Sequence, residues 1–138
     1  MDGNGHSGGM GNYTKKNLRD VENQAPKFGM PEELDARFAR RELGGETLGL
    51  SLMTLDPNFR MPFGHKHVGQ EEVYVVVRGS GRVKVEDEIV ALGEWDAIRF
   101  AKDTMRAMEA GPDGIEFVAF GAGDDPMDAE MVQDWWSD

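Results

Sequence analysis

Short apolar runs alternate with turn-forming residues at intervals of roughly ten, the spacing expected of a β-sandwich or barrel. Helical periodicity is nearly absent. The pattern predicts strands at 36–43, 47–55, 60–67, 72–78, 81–86, 88–92, 95–100, 104–109 and 115–121. Turn residues fall between them: "DPN" from 56, "GSG" from 79, "ED" from 86, "GE" from 93, "AKD" from 101 and "GPDG" from 111. "GSG" is expected to be a hairpin turn, because glycine supplies the positive φ such turns need.

Two segments depart from this beat. "YTKKNLRDVENQAP" begins like a strand and passes into a helical turn ended by Pro26. "DPMDAEMVQDWW" predicts a short terminal helix, with Asp125 as N-cap and Pro126 at the first helical position. Trp135 and Trp136 are expected to cover one end of a barrel or a partner subunit.

The chain has 138 residues, which suits a single domain. The first twelve, "MDGNGHSGGMGN", hold no apolar pattern and are expected to form a flexible tail carrying His6. Residues 13–138 then form the domain. Cysteine is absent, which excludes disulfides and thiolate chemistry. No run approaches the ~18 apolar residues of a membrane span, and the N-terminus lacks the pattern of a signal peptide. The expectation is a soluble, cytoplasmic protein. The net charge is −11, and residues 107–138 hold nine acids and no Lys, Arg or His. Such a surface repels phosphate backbones, so nucleic acids and anionic membranes are not expected partners.

The chemistry-bearing stretch is "FGHKHVGQEEVYVVVRGSG" from Phe63 to Gly81. On a strand, side chains two residues apart share a face and lie about 6.8 Å apart. His65 and His67 therefore point the same way, alongside Met61 and Phe63, and that apolar company predicts an inward face. Two such imidazoles can converge on one ion at about 2 Å from each nitrogen. A carboxylate follows on the next strand. Glu72 shares its face with Tyr74 and Val76, whereas Glu71 shares the other face with Val73, Val75 and Val77. Both faces are apolar, so parity does not choose between the acids, and the strand is expected to be covered on two sides.

This stretch resembles the first motif of the cupin superfamily: glycine, five residues, His-x-His, three or four residues, Glu, six residues, Gly. Four residues separate His67 from Glu72, and six separate Glu72 from Gly79. The resemblance selects Glu72 and implies that His65, His67 and Glu72 are metal ligands. The opening glycine is not matched: position 59 is Phe, although the preceding Asn58 tolerates the left-handed conformation. The second motif resembles "GEWDAIRFAKDTMRAMEAG" from Gly93, where Arg106 stands at the place of the family's fourth ligand, a histidine. The resemblance covers about residues 46–121. It implies an all-β fold, a cupin-type double-stranded β-helix or jelly-roll barrel, here with a short helical C-terminal segment. It also implies homodimers formed through sheet packing and exchange of N-terminal segments.

Arginine carries a permanent charge and offers no lone pair to a metal. At 4 Å from a divalent ion its repulsion is roughly 8 kcal/mol at an effective dielectric of 20, before relaxation. Two arrangements follow. In one, His65, His67 and Glu72 still hold iron, manganese, zinc or nickel, and Arg106 orients an anionic substrate, with Tyr74 within reach of the site. In the other, no metal binds and Arg106 pairs with Glu72. Three functions fit these arrangements. The first is a metal-dependent enzyme of dioxygenase or isomerase type acting on a small polar or anionic molecule. The second is a metal-free barrel that binds a small ligand. The third is a dimeric scaffold. Met61, Met105 and Met108 are expected to be core residues.

Overall fold

The structure is a computed structural model and describes residues 12–123 and 128–138. The expected helix N-cap Asp125 and Pro126, the tail residue His6 and nearly all of the expected tail lie outside these residues. Eight strands form one antiparallel sheet that curls on itself: β1 (Leu34–Phe38), β2 (Leu48–Leu55), β3 (Phe63–His67), β4 (Glu71–Val85), β5 (Glu88–Leu92), β6 (Ala97–Phe100), β7 (Arg106–Ala122) and β8 (Ala129–Gln133). The order along one path is β1-β2-β7-β3-β8, and β4 pairs with β5, β6 and β7. The all-β expectation holds.

The two long strands β4 and β7 are the spine. They run antiparallel from Glu71 opposite Ala122 to Val85 opposite Arg106. Here the expectation from sequence is corrected. "GSG" is no hairpin turn: β4 runs through it, with register shifts between Val76 and Arg78 and between Gly79 and Gly81. "GPDG" is likewise no break, since the expected strands 104–109 and 115–121 merge into β7. The two glycine groups lie against each other and crimp both strands at the same level. Gly79 (φ 78°) and Gly114 (φ 80°) both use the left-handed region. A Cβ on Gly79 would come within 2.1 Å of the Gly114 carbonyl oxygen, so only glycine permits this approach.

Two further segments differ from the pattern. The expected strand 36–43 stops at Phe38, and Arg40–Leu43 forms a single helical turn, α1. The turn closes on Gly44, whose left-handed backbone (φ 71°) lets the amides of Gly44 and Gly45 bond to the carbonyls of Arg41 and Arg40. At the C-terminus the expected helix is replaced over Ala129–Gln133 by a strand. β8 pairs with β3 from Phe63 opposite Gln133 to His67 opposite Ala129, and so covers an edge of β3 that would otherwise stand open. The turn at "DPN" is as expected, with Asn58 in the left-handed region (φ 63°).

Inward-facing side chains build one core that includes Leu34, Leu55, Val76, Val83, Phe100, Met108, Ile115 and Phe117. Met105 and Met108 are buried as expected. The C-terminal residues lock onto the outside of the sheet. Trp135 donates its indole N–H to the Lys84 carbonyl at 3.2 Å, while Lys84 Nζ lies 4.1 Å from the Trp135 ring centre and donates to the Trp135 carbonyl at 2.6 Å. Trp136 donates to the Met61 carbonyl at 3.0 Å and lies under the Arg60 guanidinium at 4.3 Å. Arg60 and Arg82 both bond to Asp138 and to Glu109. The tryptophans thus cover β3 and β4. Among the described residues no helix is long and apolar enough to cross a membrane.

Candidate metal centre

β3 alternates as its sequence requires. Lys66 faces out and pairs with Asp103 at 2.6 Å, while His65 and His67 face in, their ring centres 5.4 Å apart and nearly perpendicular. β4 resolves the choice left open between the two glutamates. Glu71 is exposed and bonds to Arg99 at 2.6 Å. Glu72 lies on the inner face with Tyr74 and Val76, and its side chain keeps only 15% of its exposure. One ligand atom from each of His65, His67 and Glu72 lies within 4.8 Å of the others, close enough for all three to bind one ion.

Both rings are placed for that role. Burial first, then the Arg106 guanidinium and His67, push the His65 pKa down to about 3, so its imidazole is neutral and keeps a free lone pair. His67 is oriented by a residue that sequence reasoning missed. Its Nδ1 lies 2.7 Å from Asp128 Oδ1, and the same carboxylate accepts the Gly69 N–H at 2.7 Å. Burial alone would raise the Asp128 pKa. The hydrogen bonds from His67, Gly69 and Gln70 outweigh that and hold it below the ordinary value. An ionised Asp128 only accepts, so Nδ1 donates to it, and Nε2 faces Glu72 Oε1 at 3.7 Å. This carboxylate–histidine arrangement fixes a metal ligand's tautomer and ring plane. Asp128 is one acid in an acidic segment, and no spacing marked it.

Arg106 is wholly buried. It sits opposite His65 in the register of β3 with β7. Its Nη2 bonds to Glu72 Oε1, its Nη1 donates to the Thr104 carbonyl at 3.0 Å, and its guanidinium carbon lies 4.6 Å from the Phe100 ring centre. Among the described residues its Nε has no hydrogen-bond partner. Tyr74 is also buried, packed against Phe100 and Phe117 with both ring-centre distances 4.8 Å. Burial pushes its pKa up to about 12, so it stays a neutral phenol.

Next to His65 lies a small chamber of about 30 Å³, walled by Met53, Met61, Phe63, Met108 and Phe117 among others. It has room for about one water molecule. His65 brings an imidazole into an otherwise largely apolar wall.

With the geometry in hand, comparison with solved structures bears on the fold. A cupin protein from Bacteroides fragilis superposes with a TM-score of 0.68 at 22% identity, over 94% of this chain and 99% of that one. The chain folds as a small cupin. Oxalate decarboxylase from Bacillus subtilis matches with a TM-score of 0.70 at 25% identity, over 86% of this chain but only 31% of that longer one. PAC13 from Streptomyces, solved with uridine, matches with a TM-score of 0.66 at 17% identity, over 85% of this chain and 88% of that one. No family model matches the sequence, and no curated protein matches it. The chain therefore shares its fold with an oxalate decarboxylase, at low sequence identity.

The three donors suit a divalent ion in type, spacing and orientation. What opposes an ion is the guanidinium already bonded to Glu72.

Proposed function

We propose that this cupin holds one divalent transition metal through His65, His67 and Glu72 and acts as an enzyme on a small molecule beside it. The observation that carries the reading is the convergence of the three ligand atoms within 4.8 Å, with the His67 ring locked by Asp128. Two imidazoles and one carboxylate form a set that leaves coordination positions open for a substrate. A bound ion there supplies Lewis-acid polarisation of a substrate oxygen.

The chain's own residues shape what can enter. The apolar, methionine-rich wall leaves room beside His65 for only about one water molecule, which favours a very small substrate with its polar atoms turned toward the histidines. Tyr74, held as a neutral phenol, can donate but does not act as a base near neutral pH. Similarity of fold to an oxalate decarboxylase and to a protein solved with uridine supports a small polar ligand in general terms and selects none.

The test is metal uptake. Protein prepared without chelator, then titrated with manganese, iron, zinc and nickel, is expected to bind one equivalent. His65→Ala and Glu72→Ala are each expected to lose it. Absence of uptake by the wild-type protein, or uptake that survives both substitutions, would overturn the reading.

A second reading has an observation of its own. The contact between Arg106 and Glu72 satisfies the carboxylate without any ion, which favours a metal-free barrel that binds a small ligand. In that case ligands stabilise the protein equally with and without chelator.

A further inference from the structure

The guanidinium beside the donor trio is neither a ligand nor free to meet a substrate. Arg106 is the largest fully buried side chain of the described residues, and no part of it reaches solvent. Its Nη2 bonds to Glu72 Oε1, the same oxygen that faces His67 Nε2 at 3.7 Å. That oxygen is the one best placed to join the two imidazoles on an ion. An incoming cation would meet the guanidinium at this oxygen, where the two positive charges repel each other.

Arg106 is anchored for this position. The Thr104 carbonyl holds Nη1 at 3.0 Å, the Phe100 ring covers the guanidinium face at 4.6 Å, and β7 places it opposite His65. Glu72 has more freedom, since its side chain keeps some exposure where that of Arg106 keeps none. The unpartnered Nε shows that the guanidinium is not held by a full set of acceptors. Its strongest charge-assisted contact is the one to Glu72.

We propose that Arg106 is a built-in counter-cation that fills the centre in the metal-free protein, so that a divalent ion enters only by breaking the Arg106–Glu72 contact. This rests on the metal reading above. Two consequences follow. The centre is electrically neutralised and stays folded without metal. The contact also sets a threshold of affinity. Ions that bind imidazole nitrogen strongly, such as zinc and nickel, clear it, whereas magnesium and calcium, which prefer all-oxygen sites, do not. Arg106 thereby determines which cations the cupin accepts.

The experiment compares calorimetric titrations of manganese, zinc and magnesium into the wild-type protein and Arg106→Met. The variant is expected to bind zinc and manganese at least about tenfold more tightly. It is also expected to take up magnesium that the wild-type protein refuses. Adding His65→Ala should abolish binding in both backgrounds. A second measurement needs no variant. In the metal-free wild-type protein the buried Arg106 Nε–H should give a slowly exchanging nitrogen–proton resonance, and saturating zinc should shift it and speed its exchange. If wild-type protein and variant bind metal equally tightly, or zinc saturates the site without disturbing that resonance, this inference falls and the metal reading stands. If neither protein binds metal, both fall. Should the variant fail to fold, the resonance decides.

Discussion

Lowering the pH should destabilise the metal-free cupin through one buried ring. The folded-state pKa of His65 is about 3, against an ordinary value of 6.5. Below the ordinary value the unfolded chain takes up a proton that the folded protein refuses, so the unfolded state gains stability as pH falls. The stability due to His65 is thus fully present above about pH 6.5 and declines continuously until the folded pKa near 3 is reached. From pH 7 to pH 5 the change is one and a half units below the ordinary value, or about 2 kcal/mol at 1.36 kcal/mol per unit. The carboxyls contribute little in this window. The carboxyls held low in the fold, such as Glu109, Glu116, Asp128 and Asp138, have ordinary values of 4.5 or 3.8 and matter mainly below pH 5. The assay is urea unfolding at pH 7 and pH 5 with chelator present, on the wild-type protein and on His65→Gln. The variant should lose most of the pH dependence between these two points. Equal slopes in the two proteins would refute the argument, because the ring would then be protonated as easily in the fold as outside it.

Other outcomes are expected. Arg106→Met should cost about 3–5 kcal/mol in the metal-free state, because Glu72 is left as a nearly buried, unpaired charge, and adding Glu72→Gln should restore a large part in denaturant titrations. Gly64→Ala would place a Cβ 2.7 Å from Trp135 Cγ, so it should displace the indole, change the tryptophan fluorescence and cost about 1–3 kcal/mol. Asp128→Asn should weaken metal binding about 10–100-fold in calorimetry by releasing the His67 ring, with the fold intact by circular dichroism. Light scattering should report a dimer formed through the outer sheet face, where Leu50, Phe120 and Val73 stand in one row, and Phe120→Glu should shift it to monomer.

What could be read from the chain follows the reach of each signal. Short apolar runs set off by turn residues marked β2, β3 and the two halves of β7. The histidine pair was legible because two rings two residues apart on a strand must share a face. Glycine misled, since a positive φ serves a hairpin and a bulge equally. Gly79 could not announce that its partner Gly114 lies across the sheet. "RREL" has no periodicity to separate one helical turn from a strand end. The strand β8 is exposed along its length, so burial left no pattern in its sequence, and its reason for being a strand is the open edge of β3. Asp128 was illegible because its role depends on that pairing. Arg106 was found only through a vacancy in a motif, and the structure adds its partner.

The paired crimp in β4 and β7 bears on how the molecule comes apart. Each of these two ribbons belongs to both halves of the barrel, so the halves share continuous strands. Melting one half would drag the same two ribbons out of the other. Denaturation should therefore be a single all-or-none event, with amide protons at the two ends of β7 exchanging by the same global opening.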